Sequence, residues 1–305
     1  MTYDVIIIGS GPAGLAAAIY AKRSELTMLV IEKAAISGGQ IINTYEVDNY
    51  PGFMGVSGFD LSMKFREHAD KLGTEFVTGE VKDFHLDGDS KVITLDDGTT
   101  YRTKTVIIAT GGAPRRLHVE GEEEFAGMGV SYCATCDGAF FKNKTVAVIG
   151  GGDVAVEDAI FLARICKKVY VIHRRDQLRA KKSLSTKLLS MDNVTVLWDS
   201  VVEKINGEEV AESVSVKNVK TGEMENVEVS GVFIAVGYIP NSEIFKKVVA
   251  TDDRGYIIAG ENSETNVPGI FAAGDVRTKG LRQIITAASD GAVAVTAVEK
   301  YLNGK

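Results

Sequence analysis

A short β-branched run at Val5–Ile8 leads into the turn Gly9-Ser10-Gly11-Pro12-Ala13-Gly14, an alanine-rich stretch to about Arg23, and a second apolar run at Met28–Ile31. Short apolar runs bounded by glycine mark buried strands, and the alanine-rich stretch between them marks a helix, so the pattern predicts a βαβ unit. The same order recurs at Thr145–Ile149, Gly150–Gly152, Val154–Arg164 and Val169–Ile172. The expected fold class is therefore α/β, with two Rossmann-like dinucleotide-binding domains, each a parallel sheet with helices on its faces.

Between the two units, residues 77–101 alternate polar and apolar positions, with turn signals at Asp87-Gly88-Asp89 and Asp96-Asp97-Gly98. That predicts a small antiparallel meander, and residues 201–229 repeat the pattern. Two buried-strand patterns, Val106–Ala109 and Val232–Val236, end in glycine and are soon followed by Pro114 and Pro240. The domain crossings are placed there. The second unit then reads as an insertion, residues 113–241, in a first domain made of residues 1–112 and 242–305.

Composition narrows the function classes. A chain of 305 residues with 45% hydrophobic and 25% charged content is globular and long enough for two domains. Its net charge of -7, with no block of five like charges, gives no electrostatic reason to expect nucleic acid or an anionic membrane as partner. The uncharged stretch Val5–Ala21 approaches the ~17–25 residues of a spanning helix, but Asp4 precedes it and Gly9, Gly11, Pro12 and Gly14 break its middle. A soluble, cytoplasmic protein is expected. Three cysteines form no even disulfide framework, so a reducing compartment is implied and any close pair needs its own explanation.

The first glycine turn fits G-x-G-x-x-G, whose glycines give the tight turn, the approach of backbone to a pyrophosphate, and close helix–strand packing. Glu32 follows Gly9 by 23 positions, where a carboxylate accepts hydrogen bonds from ribose hydroxyls. The second turn, Gly150-Gly151-Gly152-Asp153-Val154-Ala155, has His173 at the same spacing, then Arg174, Arg175 and Arg179. A carboxylate repels a ribose 2′-phosphate and guanidinium groups bind one, so the first unit suits FAD or NAD and the second NADP(H). The plainer alternative is a solvated basic helix start, and His173 is given only a supporting role.

Cys133-Ala134-Thr135-Cys136-Asp137-Gly138 is the third motif. A C-x-x-C pair closes a small disulfide loop in which each thiol can resolve the other, and Asp137 adds a carboxyl group that can relay protons. A zinc site competes, but it needs four ligands, and only Cys166 and isolated histidines remain. Cys166, in an apolar stretch, reads as an inert core thiol.

With two dinucleotide units and a C-x-x-C just ahead of the second, the sequence resembles the low-molecular-weight thioredoxin reductases along essentially its whole length. The matching strings include Gly38-Gly39-Gln40, Asn49-Tyr50-Pro51-Gly52, Ala109-Thr110-Gly111, Ala273-Gly274-Asp275-Val276 and Arg282-Gln283 besides the three motifs above. The resemblance implies FAD on the first unit: Gly9, Gly11, Pro12, Gly14 and Glu32 at its adenosine pyrophosphate, and Gly39, Gln40 and Asn49 near the flavin end. Thr110, Gly111 and Gly274 belong to the same set, Asp275 faces the ribityl–phosphate region, and Arg282 and Gln283 the ring end. It implies NADPH on the second unit, held by Gly150, Gly152, Asp153, Ala155, His173, Arg174, Arg175 and Arg179. Cys136 would face the flavin, Cys133 would attack the disulfide of thioredoxin, and Asp137 would move the proton. A homodimer, and two domains that alternate between arrangements, are further implications. Val154 departs from the serine or threonine common in the family, as does Gly112 from alanine. The glutathione-reductase type fits less well, because residues 1–132 hold no cysteine. A redox sensor on a Rossmann scaffold, or a reductase for another thioredoxin-like protein, stays open at this level.

Overall fold

In the computed structural model, which describes residues 2–44 and 46–304, the chain divides into two compact units. One comprises Met1–Ala113 with Ile239–Lys305 and the other Pro114–Tyr238.

The first unit is built on a seven-stranded sheet. Thr2–Ile8 lies parallel to Met28–Glu32 on one side and to Thr100–Ile108 on the other, with Val5 opposite Met28 and Ile7 opposite Ile107. Phe76–Thr78 and Ile270–Ala272 extend the parallel part. Val81–Asp87 and Ser90–Leu95 join it as an antiparallel meander through the first half of Thr100–Ile108. Alternate side chains of the central strand serve two cores, as the pleat requires. Val5 and Ile7 pack with Ala13, Ala17 and Val295 of the helices Pro12–Arg23 and Ile284–Leu302, whereas Ile6 and Ile8 pack with Phe84, Ile93 and Phe245. Burial on both faces is why this strand reads as an unbroken apolar run.

The second unit repeats the plan with a five-stranded parallel sheet in the order Val194–Leu197, Lys168–Ile172, Thr145–Ile149, Gly231–Ile234, Val130–Ser131. Its meander, Ser200–Gly207, Ala211–Asn218 and Met224–Glu228, forms a separate three-stranded sheet. The helix Asp153–Ala163 covers one face of the parallel sheet and the meander supplies Val202, Ile205, Val214 and Val216 to the other.

Both βαβ units and both meanders stand where the hydrophobic pattern predicts them. The pattern does not mark the helices Gly58–Lys71, Lys182–Leu189 and Ile284–Leu302. Among the described residues no helix is long and apolar enough to cross a membrane.

Candidate active site

Cys133 and Cys136 form a disulfide, with Sγ atoms 2.14 Å and Cα atoms 5.3 Å apart. Cys133 is the N-cap of the short helix Ala134–Asp137, whose Cys136 and Asp137 amides donate to its carbonyl. Two side chains upstream fix the entry to this loop. Glu122, 1% exposed, accepts from the amides of Leu117 and His118 at 3.1 and 2.6 Å and from the Tyr132 hydroxyl at 2.8 Å. The Ser131 hydroxyl takes the Cys133 amide at 3.1 Å and lies 2.5 Å from Asp137 Oδ2. Burial holds the Asp137 carboxyl above the ordinary carboxylate range, and the Ser131 hydrogen bond only partly offsets it. A carboxyl with raised proton affinity beside the redox pair is suited to giving and taking protons.

Cys166 has no part in this pair. It is buried among Val169, Leu162 and Phe233, and burial pushes its thiol up to about 11, so the reactive thiolate is scarce at neutral pH. Among the described residues no group of three or more His, Cys, Asp or Glu is arranged to hold a metal ion.

The first glycine turn joins Thr2–Ile8 to the helix that begins at Pro12. Gly9 has φ +105°, and a Cβ there would stand 2.4 Å from Ala109 O; one on Gly14 would stand 1.9 Å from Gly9 O. Backbone closeness of this kind admits only glycine and leaves the helix N-terminal amides facing outward, the arrangement that suits a pyrophosphate. Glu32 stands beside the turn, with Oε2 accepting from Ser10 N and Oγ at 2.7 and 2.8 Å and Oε1 from Ala34 N at 3.0 Å.

Other residues expected at a flavin gather in the same unit. Asn49 Nδ2 donates to Gln283 Oε1 at 2.9 Å, and Gln40 Nε2 donates to Gly112 O at 2.5 Å. The Arg282 guanidinium lies 4.0 Å from the Tyr256 ring centroid. Thr110 faces its own chain, its hydroxyl donating to Asn241 O at 2.6 Å. Asp275 follows Gly274, φ +79°; its Oδ1 is buried without a hydrogen-bond partner, and burial raises its pKa. An orphaned buried oxygen is costly unless a ligand donor meets it, so these residues fit a bound group that carries hydroxyls.

The second glycine turn is closed in the same way: Gly150 has φ +147°, and a Cβ there would stand 2.5 Å from Ala235 O. Asp153, in the first turn of the helix, accepts from Lys181 N at 2.8 Å. Val154 is 60% exposed. His173 is a buried part of the frame: its ring lies where a side chain on Gly151 would go, its Nε2 bonds Gln177 O at 3.1 Å, and burial lowers its pKa. Arg174, Arg175 and Arg179 are exposed and line a cleft of about 460 Å³, which Lys220 and Asp199 also line. The loop is anchored to the glycine turn by Arg179 N donating to Gly151 O at 2.7 Å.

Ser10, Ser131 and Glu122 carry much of this geometry, as does Asp290, which accepts from Gly274 N and Arg277 Nε at 2.9 Å, and none was legible as a site residue. Serines and carboxylates are common on any surface, and their partners stand up to 22 positions away.

A family model described as pyridine nucleotide-disulphide oxidoreductase matches residues 3–291. The thioredoxin reductase of Peptoclostridium acidaminophilum is 47% identical over 307 residues, covering 98% of this chain and 97% of that protein. The thioredoxin reductase of Bacillus subtilis strain 168 is 45% identical over 301 residues, covering 98% and 95%. The crystal structure of thioredoxin reductase from Streptococcus pyogenes MGAS5005 matches with a TM-score of 0.94 at 48% identity, covering 100% of this chain and 99% of that one. With the disulfide, the two glycine turns and this likeness over the full length together, the chain belongs to the pyridine nucleotide-disulphide oxidoreductases and, within them, to the thioredoxin reductases.

Proposed function

We propose that the chain is an NADPH-dependent flavoprotein that passes electrons through FAD to the Cys133–Cys136 pair and from there to the disulfide of thioredoxin. The observation that carries this reading is the disulfide itself, set beside the half-buried carboxyl of Asp137 and 14 residues ahead of a glycine turn flanked by three exposed arginines. Residues 1–112 and 242–305 form the FAD-binding domain in this reading, and residues 113–241 the NADPH-binding domain with the redox pair. FAD, when bound, accepts a hydride from NADPH and supplies the electron pair that reduces the disulfide.

The chain's own residues perform the rest. Gly9, Gly11, Pro12 and Gly14 present backbone to the pyrophosphate, Glu32 takes a ribose hydroxyl, and Asp275 Oδ1, buried without a partner in the protein, would accept from a hydroxyl of the flavin nucleotide. Gly39, Gln40, Asn49, Thr110, Gly111, Gly274, Arg282 and Gln283 complete that site. Gly150, Gly152, Asp153 and Ala155 hold the dinucleotide of NADPH with His173 as frame, and Arg174, Arg175 and Arg179 bind its 2′-phosphate.

Once the pair is a dithiol, Cys133 gives its proton to Asp137 and the resulting thiolate attacks one sulfur of the thioredoxin disulfide. A mixed disulfide forms and the other thioredoxin sulfur leaves as a thiolate, which takes a proton from Asp137. Cys136 then passes its own proton to the ionised Asp137, and its thiolate attacks Cys133 Sγ. The second thioredoxin sulfur leaves as a thiolate and takes that proton from Asp137, and the Cys133–Cys136 disulfide is restored, two electrons and two protons having passed from the dithiol to thioredoxin. A cytoplasmic homodimer goes with this reading, supported by the family likeness.

The test is insulin reduction driven by NADPH through purified protein and a thioredoxin. NADPH-dependent turnover that requires all three components is expected. A yellow protein that oxidises NADPH but leaves every tested thioredoxin oxidised would place the activity on another disulfide substrate.

A further inference from the structure

Three polar atoms surround the Ser131 hydroxyl. Asp137 Oδ2 is 2.5 Å away, the Cys133 amide nitrogen 3.1 Å, and the Cys133 carbonyl oxygen 3.4 Å. Ser131 is 5% exposed, so water does not complete the set from outside. A hydroxyl has one hydrogen to donate and two lone pairs. One lone pair is taken by the Cys133 N–H, which can only donate. The hydrogen must therefore choose between Asp137 and the Cys133 carbonyl, and the choice follows the charge on Asp137. An ionised carboxylate takes it, because that contact is the shorter and is charge-assisted. A carboxyl protonated on Oδ2 donates to Oγ instead, and the serine hydrogen is left with the long, weak contact to the Cys133 carbonyl, which already accepts from the Cys136 and Asp137 amides. In both states the Cys133 N–H keeps its acceptor.

We propose that Ser131 is a positioning residue of the thiol–disulfide step: it holds the Asp137 carboxyl to the redox loop and lets it exchange a proton without releasing Cys133. The inference rests on the reading of Asp137 as the proton donor and acceptor. No further reactant is needed, since a proton leaves Asp137 for the departing thiolate and the serine hydrogen moves from the Cys133 carbonyl to Asp137 Oδ2.

The surroundings leave this role to Ser131. Of the segments packed on Ala134–Asp137, Gly138–Phe141 has no titratable side chain, and the helix Asp153–Ala163 brings Asp153, Glu157 and Asp158. Asp153 is engaged by Lys181 N. Asp158 is pushed up to about 7 by burial, with Glu157 adding to the effect, and Glu157 is exposed. Burial and the Ser131 hydrogen bond account for the proton affinity of Asp137.

The experiment mixes flavin-loaded protein, reduced beforehand with one equivalent of NADPH, with oxidised thioredoxin. The rate at which the protein is oxidised is followed from about pH 4 to 9, a range that spans the ordinary carboxylate and thiol values. Ser131→Ala removes the donor that favours ionised Asp137, so the limb due to Asp137 should move to higher pH by about one unit, with a lower plateau. Ser131→Thr, which keeps the hydroxyl, should restore the wild-type limb. If Ser131→Ala folds poorly, Ser131→Gly is read in the same way. Asp137→Asn separates the two readings. If it leaves the limb in place, Asp137 is not the titrating group and the proposed proton path fails. If it abolishes the limb but neither Ser131→Ala nor Ser131→Gly moves it, the role of Ser131 is refuted and that of Asp137 stands.

Discussion

Asp290 and Arg277 form a doubly hydrogen-bonded, buried ion pair, with Oδ1 2.8 Å from Nη2 and Oδ2 2.9 Å from Nε. Lys279 Nζ adds a second cation at 2.8 Å, and the Gly274 amide donates to the same carboxylate at 2.9 Å. The last helix thereby grips the turn that presents Asp275. Burial by itself would raise the pKa of Asp290, but the hydrogen bonds and charges of Arg277 and Lys279 outweigh it and hold the carboxyl below its ordinary value.

Asp290→Ala should therefore destabilise the first unit by about 3–5 kcal/mol, because it leaves two cations buried without their anion. Chemical denaturation at pH 7 reads this directly, and loss of FAD from the variant during gel filtration should accompany it. The pH dependence has a fixed sign. A carboxyl whose folded-state pKa is depressed contributes stability that is present above its unfolded value, about 4, and is lost as pH falls through the folded value. The difference in stability between wild type and Asp290→Ala should thus be largest near neutrality and narrow below about pH 4. A difference that stays constant down to pH 2.5 or so would mean that lost packing, not lost charge, is the cause.

Replacing Cys133 or Cys136 by serine should abolish thioredoxin reduction while the protein remains yellow and is still reduced by NADPH. Hydride transfer precedes the thiols, so the two half-reactions separate. Stopped-flow reduction at the flavin band and insulin turnover measure them independently. Near-normal thioredoxin turnover in either single variant would exclude the pair as the electron path.

Arg174→Ala combined with Arg175→Ala should raise KM for NADPH at least tenfold relative to the change for NADH. Charge-assisted hydrogen bonds to the 2′-phosphate are worth about 1.5–3 kcal/mol each, and NADH has no such group to lose. Parallel steady-state titrations with both nucleotides suffice. Equal changes for the two would assign these arginines to the general charge field.

Much of the molecule was determined by the sequence alone, for reasons that are local. Buried parallel strands must be apolar on both faces, so Val5–Ile8 and Thr145–Ile149 announce themselves. Glycines at Gly9, Gly14 and Gly150 are demanded by backbone approaches that no side chain survives. The C-x-x-C spacing brings Cys133 and Cys136 within disulfide reach through one turn of helix. The contrast of Glu32, 23 positions after Gly9, with His173 at the same spacing after Gly150 and Arg174 and Arg175 directly behind it can be counted by eye.

Only the tertiary structure decided what depends on partners far apart in the chain. It set the His173 ring where a side chain on Gly151 would go and bonded its Nε2 to Gln177 O, a supporting place that no spacing specifies. It joined Asn49 to Gln283, 234 positions apart, and set Asp290 on Arg277 and Lys279 across the turn of Gly274. The helix Ile284–Leu302 escaped the pattern because it is apolar over most of its surface where it packs against Pro12–Arg23, and period is faint in a helix that buries so much. Ser131 is the sharpest case. A serine two residues before a cysteine signals nothing by itself; folding placed its hydroxyl 2.5 Å from Asp137, and distance and burial, which no local pattern encodes, gave it a part in the chemistry.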